Sequence, residues 1–166
     1  MGADCHHHDI SQTGLIGTSL DLAMGQAETR CQNVHARLTP PRRRVLELLL
    51  QADGPLKAYD LIAAFGPRGE PAKPPTVYRA LEFLERMGFA HRIESLNAYV
   101  PCRRDADNHK AAFLICDCCG AAQEFDPDLL NRLSPADIGG YAVRSITLEA
   151  HGLCPSCRED TTPGSA

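Results

Sequence analysis

The chain has 166 residues, 43% hydrophobic and 23% charged, with a formal net charge of −4. That length fits one medium domain or two small ones, and no apolar run approaches the roughly 18 residues of a membrane span. Residues 1–20 carry Asp4 and the histidines His6, His7 and His8 in place of a basic stretch followed by an apolar one, so no secretory signal is expected and the cytoplasm is the expected compartment. Eight cysteines in a reducing compartment argue for metal binding before disulfides.

Residues 1–17 lack apolar periodicity and are expected to be mobile. A first helix is predicted over residues 19–36. A second starts at Thr39-Pro40-Pro41, where threonine can cap and proline is tolerated in the first turn, and it carries Val45, Leu48, Leu49 and Ala52 on one face. Asp53-Gly54-Pro55 ends it. A third short helix is predicted over residues 58–65, then a Gly- and Pro-rich loop over 66–75. The fourth helix presents Val77, Ala80, Leu81, Leu84 and Met87 at helical spacing, shows Thr76, Arg79 and Glu82 on its other face, and stops at Gly88.

After Gly88 the pattern becomes extended. Residues 89–94 and 98–102 read as a hairpin around Ser95-Leu96-Asn97. Helices followed by a hairpin define a winged helix-turn-helix over residues 18–102, whose last helix enters the major groove of DNA. A polar hinge follows at 103–108. Residues 109–157 are predicted to form a small α/β domain, with strands at 112–115, 121–125 and 141–150 and a helix opened by Asp126-Pro127. Residues 158–166 are expected to be a mobile tail. The fold class is therefore α+β, two small domains joined by a hinge.

Charge permits a nucleic-acid role for the front half. Residues 37–92 hold ten Lys and Arg against six Asp and Glu, while the remainder holds seven against fifteen. An electrostatic footprint is local, so a basic head on an acidic body is compatible with DNA binding.

The strongest chemical signal is the C-x-x-C of Cys116 and Cys119, answered by the C-x-x-C of Cys154 and Cys157. Each tight turn aims two sulfurs at one ion, and two such turns complete a closed tetrahedron around Zn(II), which makes the site structural. Cys118 could replace Cys119 in a C-x-C arrangement, although the spacing and the following Gly120 favour Cys119. His91, Cys102, His109 and Glu124 are four scattered residues flanking the junction between the two expected domains. Zn(II) accepts sulfur, nitrogen and oxygen donors together, so a second site is conceivable from them. Cys5-His6-His7-His8-Asp9 could hold zinc loosely, but without a scaffold it reads as part of the mobile N-terminal segment.

Several longer motifs carry a more selective signal. RLTPPRRRVL at 37–46, Ala58-Tyr59-Asp60-Leu61, KPPTVYRALEFL at 73–84, FLICDCCG at 113–120 and EAHGLCPSC at 149–157 resemble the ferric uptake regulator superfamily, most of all its zinc uptake regulator branch. The resemblance runs from about residue 28 to 157. It implies a homodimeric metalloregulator with a winged-helix head and an α/β dimerisation domain, holding two Zn(II) per chain. The structural zinc falls to Cys116, Cys119, Cys154 and Cys157, and the regulatory zinc to His91, Cys102, His109 and Glu124.

The implied function is a repressor that binds double-stranded operator DNA when regulatory zinc is present and silences zinc-uptake genes. Arg79 is the candidate for base contact, because a guanidinium fits the guanine edge. Tyr59 matches the family's other DNA-contacting residue, Thr76 lies on the same outward face as Arg79, and Arg42, Arg43 and Arg44 are expected at phosphates. His151 reads as structural and Cys31 as a helix residue.

The alternative within the superfamily is an iron, manganese or peroxide sensor. Against the iron and peroxide sensors, Asp107-Asn108-His109-Lys110 replaces their H-x-H segment. A zinc enzyme of the nucleobase deaminase kind needs H-x-E followed by P-C-x-x-C, and this chain has no H-x-E. No enzymatic activity is expected.

Overall fold

A computed structural model describes residues 14–66, 69–102, 111–125 and 146–161. They fall into two compact units, one drawn from residues 12–107 and the other from residue 108 onward. Among the described residues no helix is long and apolar enough to cross a membrane.

The first unit begins earlier than expected. Leu15 N–H donates to the Leu50 carbonyl at 2.7 Å and Gly14 N–H to Asp53 Oδ1 at 2.7 Å, so residues 14–17 are anchored to the end of the second helix. Helix α1 spans Gly17–Asn33 and buries Leu20, Met24, Ala27 and Cys31. It stops three residues short of the expected end because the chain turns left-handed at His35, φ 52°. There His35 N–H bonds the Gln32 carbonyl and Ala36 N–H the Cys31 carbonyl, the paired bonds of a Schellman cap.

Helix α2, Pro40–Gln51, buries Val45, Leu46, Leu49 and Leu50. Thr39 occupies its N-cap, yet its hydroxyl makes no capping bond. Pro40 and Pro41 remove two of the amide donors that a cap exists to satisfy. A two-residue strand β1, Leu56–Lys57, was not expected from the sequence and leads into α3, Ala58–Ala63. Lys57 N–H donates to the Asp60 carboxylate at 3.1 Å, which fixes the first turn of α3.

Helix α4 spans Pro74–Arg86 and buries Val77, Ala80, Leu81, Phe83 and Leu84. It starts within the expected loop because Pro74 and Pro75 fit a first turn. Gly88, φ +66°, ends it: Gly88 N–H bonds the Glu85 carbonyl and Phe89 N–H the Leu84 carbonyl. Strands β2, Ala90–Ile93, and β3, Ala98–Pro101, form the expected hairpin. Asn97, φ 48°, supplies the left-handed turn residue that asparagine tolerates. The sheet order is β1-β3-β2, antiparallel throughout, with Leu56 opposite Tyr99 and His91 opposite Val100. One core joins α1, α2, α3, α4 and the hairpin, with Val45, Leu49, Leu61, Val77 and Leu84 completely enclosed.

In the second unit, β4, Ala111–Cys116, lies between β5, Ala122–Phe125, and β6, Thr147–Gly152. Strands β4 and β5 pair antiparallel, whereas β4 and β6 pair parallel, with Leu114 opposite Ala150 and Cys116 opposite Gly152. Phe113 and Ile115 are buried beneath the sheet. A last helix α5, Pro155–Thr161, occupies part of the region expected to be a mobile tail. The helix expected at Asp126-Pro127, the hinge at 103–108, the start of the strand expected from residue 141 and the Cys5-to-His8 cluster lie outside the described residues.

Candidate metal centre and nucleic-acid interface

Two turns at one end of the β5-β4-β6 sheet build the first site. The chain leaves β4 at Cys116 and bends through Asp117, Cys118 and Cys119 to Gly120, whose φ of +71° is the left-handed conformation glycine accepts without strain. Gly120 N–H closes this turn on the Cys116 carbonyl at 2.9 Å. The second turn leaves β6 and enters α5, placing Cys154 just before that helix and Cys157 in its first turn. Parallel pairing of β4 and β6 brings the two turns to the same end of the sheet, and Asp117 N–H bonds the Gly152 carbonyl at 2.8 Å between them. His151 Nδ1 and Asp117 Oδ1 make a second link at 3.0 Å.

The ligand atoms of Cys116, Cys119, Cys154 and Cys157 lie within 4.8 Å of one another, and Cys119 Sγ and Cys154 Sγ are 4.0 Å apart. A tetrahedron with metal–sulfur bonds of about 2.3 Å has sulfur–sulfur edges of about 3.8 Å, so the Cys119–Cys154 separation is close to that of a zinc site and the group could hold one ion. Cys118 is exposed and is not among the four clustered cysteines.

The electrostatics agree. Burial opposes ionisation of Cys116, but amide donors from Cys119, Cys154 and Cys118 outweigh it and pull the thiol down to about 6. Cys154 N–H donates to Cys116 Sγ at 3.3 Å. Cys157 is pushed up by its hydrogen bond with Cys154 and then by burial, and Cys119 is pushed up chiefly by burial. One thiolate is therefore favoured and its neighbours resist ionising beside it. Four thiolates at this spacing require a cation among them.

The second expected site draws on three described positions. His91 lies half-buried on β2, and Cys102 follows β3 with its N–H on the Phe89 carbonyl at 2.9 Å. The hairpin register thereby brings the His91 and Cys102 ligand atoms within 4.8 Å of each other. Glu124 lies half-buried on β5, opposite Phe113. His109 lies outside the described residues.

On the winged-helix unit, α4 shows Tyr78, Arg79 and Glu82 outward, with Thr76 half-buried at its first turn. Tyr59, at the start of α3, is 77% exposed. Tyr78 was overlooked in the sequence, although residues 75, 78, 79 and 82 have the i, i+3, i+4, i+7 spacing of one helix face.

The arginine run is more engaged than expected. Arg42 lies 3.7 Å from the centre of the Phe83 ring and donates to the Arg37 carbonyl at 2.7 Å. Arg43 pairs with Glu28 on α1. Arg44 departs furthest from a phosphate contact: Nε donates to the Phe65 carbonyl at 2.7 Å, one terminal nitrogen to Ala64 O at 3.2 Å, and the other to Glu47 at 2.8 Å.

A winged-helix head, a second unit organised around a four-cysteine cluster, and a sequence match to the ferric uptake regulator family over residues 33–151 place this chain in that family. Within it, the zinc uptake regulation protein of Escherichia coli K12 is 43% identical over 147 residues, covering 86% of this chain and 85% of that one. The ferric uptake regulation protein of Synechococcus elongatus is 29% identical over 126 residues, covering 74% of this chain and 86% of that protein. Among solved structures, a zinc uptake regulator complexed with zinc and DNA superposes with a TM-score of 0.78 at 42% identity, covering 87% of this chain and 98% of that chain.

Proposed function

We propose that this chain is a zinc-responsive transcriptional repressor of the cytoplasm, acting as a homodimer on palindromic operator DNA and silencing zinc-uptake genes when zinc is plentiful. The observation that carries this reading is its likeness, over most of its length, to the zinc uptake regulator solved with zinc and DNA, at much higher identity than to the iron regulator. The closed four-sulfur shell agrees with it, because it leaves no coordination position for a substrate and suits a scaffold rather than an enzyme.

Two Zn(II) per chain follow in this reading. Cys116, Cys119, Cys154 and Cys157 hold the structural ion. His91, Cys102, His109 and Glu124 hold the regulatory one, with His91 and Cys102 converging on the wing and His109 and Glu124 contributed by the second unit. Coordination then restrains the winged-helix head, and DNA affinity rises by the difference in zinc affinity between the competent arrangement and the others.

Arg79 and Tyr59 read the operator with support from Thr76, while Arg42 and Arg43 neutralise phosphates. Arg43 does so by exchanging Glu28 for a phosphate. An apolar sheet face that leaves Leu114 and Leu148 partly exposed on adjacent strands supports homodimerisation through the second unit.

The test is operator binding across a range of free zinc with the wild type, His91→Ala and Cys102→Ser. Both variants are expected to keep the structural zinc and lose zinc-dependent binding. Unchanged zinc dependence in both would remove the sensor assignment.

A further inference from the structure

We propose that Arg44 is a positioning residue for DNA recognition, holding α3 and therefore Tyr59 in place against α2. The inference rests on the DNA-binding reading above and changes what the arginine run does within it.

Helix α3 has six residues, too few for its own hydrogen bonds to sustain it; it buries Ala58 and Leu61, packs Ile62 against the core, and takes one bond from Ala72 N–H at the Ile62 carbonyl, 2.9 Å. Its fixed geometry must come from outside. Lys57 N–H and the Asp60 carboxylate close its first turn, and the Arg44 guanidinium takes the carbonyls of Ala64 and Phe65 just beyond its last. Carbonyls at a helix C-terminus run out of intrahelical amide donors, and a cation there also suits the negative end of the helix dipole.

Glu47, one turn along α2, occupies the remaining terminal nitrogen and sets the direction of the fork. A planar guanidinium can span two carbonyls and a carboxylate at once, which a lysine cannot do. With three partners and a side chain 30% exposed, Arg44 has little left to offer a phosphate.

The consequence falls on Tyr59. Tyr59 is 77% exposed and receives little support from the core, so its position is that of the helix that carries it. At 1.5 Å rise per residue, Tyr59 stands about 7 Å along the axis from the Arg44 anchor, and a tilt of about 10° there displaces it by about 1 Å. Recognition groups need placement finer than that.

The test uses full-length zinc-loaded protein and a palindromic duplex selected from random-sequence DNA by the wild type, with an unrelated duplex beside it. Arg44→Met keeps the aliphatic stem and removes the donors. It is expected to weaken the selected duplex about tenfold, to leave the unrelated duplex within about twofold, and to keep the salt dependence unchanged. In a Tyr59→Ala background the same change is expected to cost little more, because both act through one contact.

Arg44→Lys should not rescue, and Glu47→Gln should give a smaller loss of the same kind, which keeps the idea testable if Arg44→Met folds poorly. Equal weakening on both duplexes with a shallower salt dependence would identify a phosphate contact and overturn the proposal. Additive losses with Tyr59→Ala would also overturn it.

Amide exchange in DNA-free protein separates the anchor from the DNA reading. Faster exchange across residues 58–65 in Arg44→Met is expected, and unchanged exchange refutes the anchor. If the wild type selects no sequence from the pool while Arg44→Met still loosens α3, the DNA reading fails and the recognition role falls with it, leaving only the anchor.

Discussion

Single side chains in this protein differ in what they can be asked to do, and their surroundings decide it. Arg79 stands on the exposed face of α4, whose buried face holds it rigidly through Val77, Ala80, Leu81 and Leu84. Arg79→Ala is expected to remove about 1–3 kcal/mol of discrimination at one base pair of each half-site, read by comparing matched and mismatched operators. Arg43→Gln should instead weaken all duplexes alike and lower the salt dependence by about one charge. Losing its Glu28 partner costs the fold little, because both side chains are nearly half exposed. These contrasting outcomes would separate reading from steering within one DNA-binding surface.

At the scale of elements, the ends of helices carry information that periodicity does not. Helix α1 ends in a Schellman cap whose left-handed residue is His35. A side chain there costs about 1–2 kcal/mol, partly offset by the extra freedom glycine has in the unfolded chain, so His35→Gly is expected to stabilise the first unit by about 0.5–1 kcal/mol in denaturant melts. The sequence offered no glycine at that position, and the helix was accordingly expected to run to residue 36. Where glycine does mark the end, at Gly88, the boundary was legible.

The same contrast runs through the rest of the chain. Helices α2 and α4 were readable because their apolar residues repeat at helical spacing. Strand β1 was not, since two residues have no period, and α5 was missed because its residues are polar and its place is set by the cysteine turn before it. The four cysteines were legible because both members of each pair sit on one turn. His91 and Cys102 converge only through the hairpin register, which spacing along the chain does not encode; their place near the domain junction made a site conceivable, and the family resemblance made it specific.

For the molecule as a whole, the two sites are expected to separate under zinc depletion. A mild chelator should take one zinc per chain and abolish operator binding while the fold persists, and a stronger one should take the second and destabilise the second unit, whose paired strands β4 and β6 end at the two cysteine turns. Metal analysis of protein purified under reducing conditions should give two zinc per chain for the wild type, one for His91→Ala and one for Cys102→Ser. Retention of iron at the second site would replace the zinc sensor with an iron sensor. Acid should weaken both sites. Every cysteine and histidine ligand must give up a proton to bind, so affinity at both sites falls as pH falls. At the cysteine site Cys116 is already inclined to ionise, whereas Cys119 and Cys157 hold their protons more tightly than ordinary thiols in the metal-free protein. Loading that site must therefore release protons near neutral pH, and competition with a chelator should show zinc affinity rising steadily from pH 6 to pH 8. An affinity independent of pH across that range would mean that the sulfurs are not the ligands.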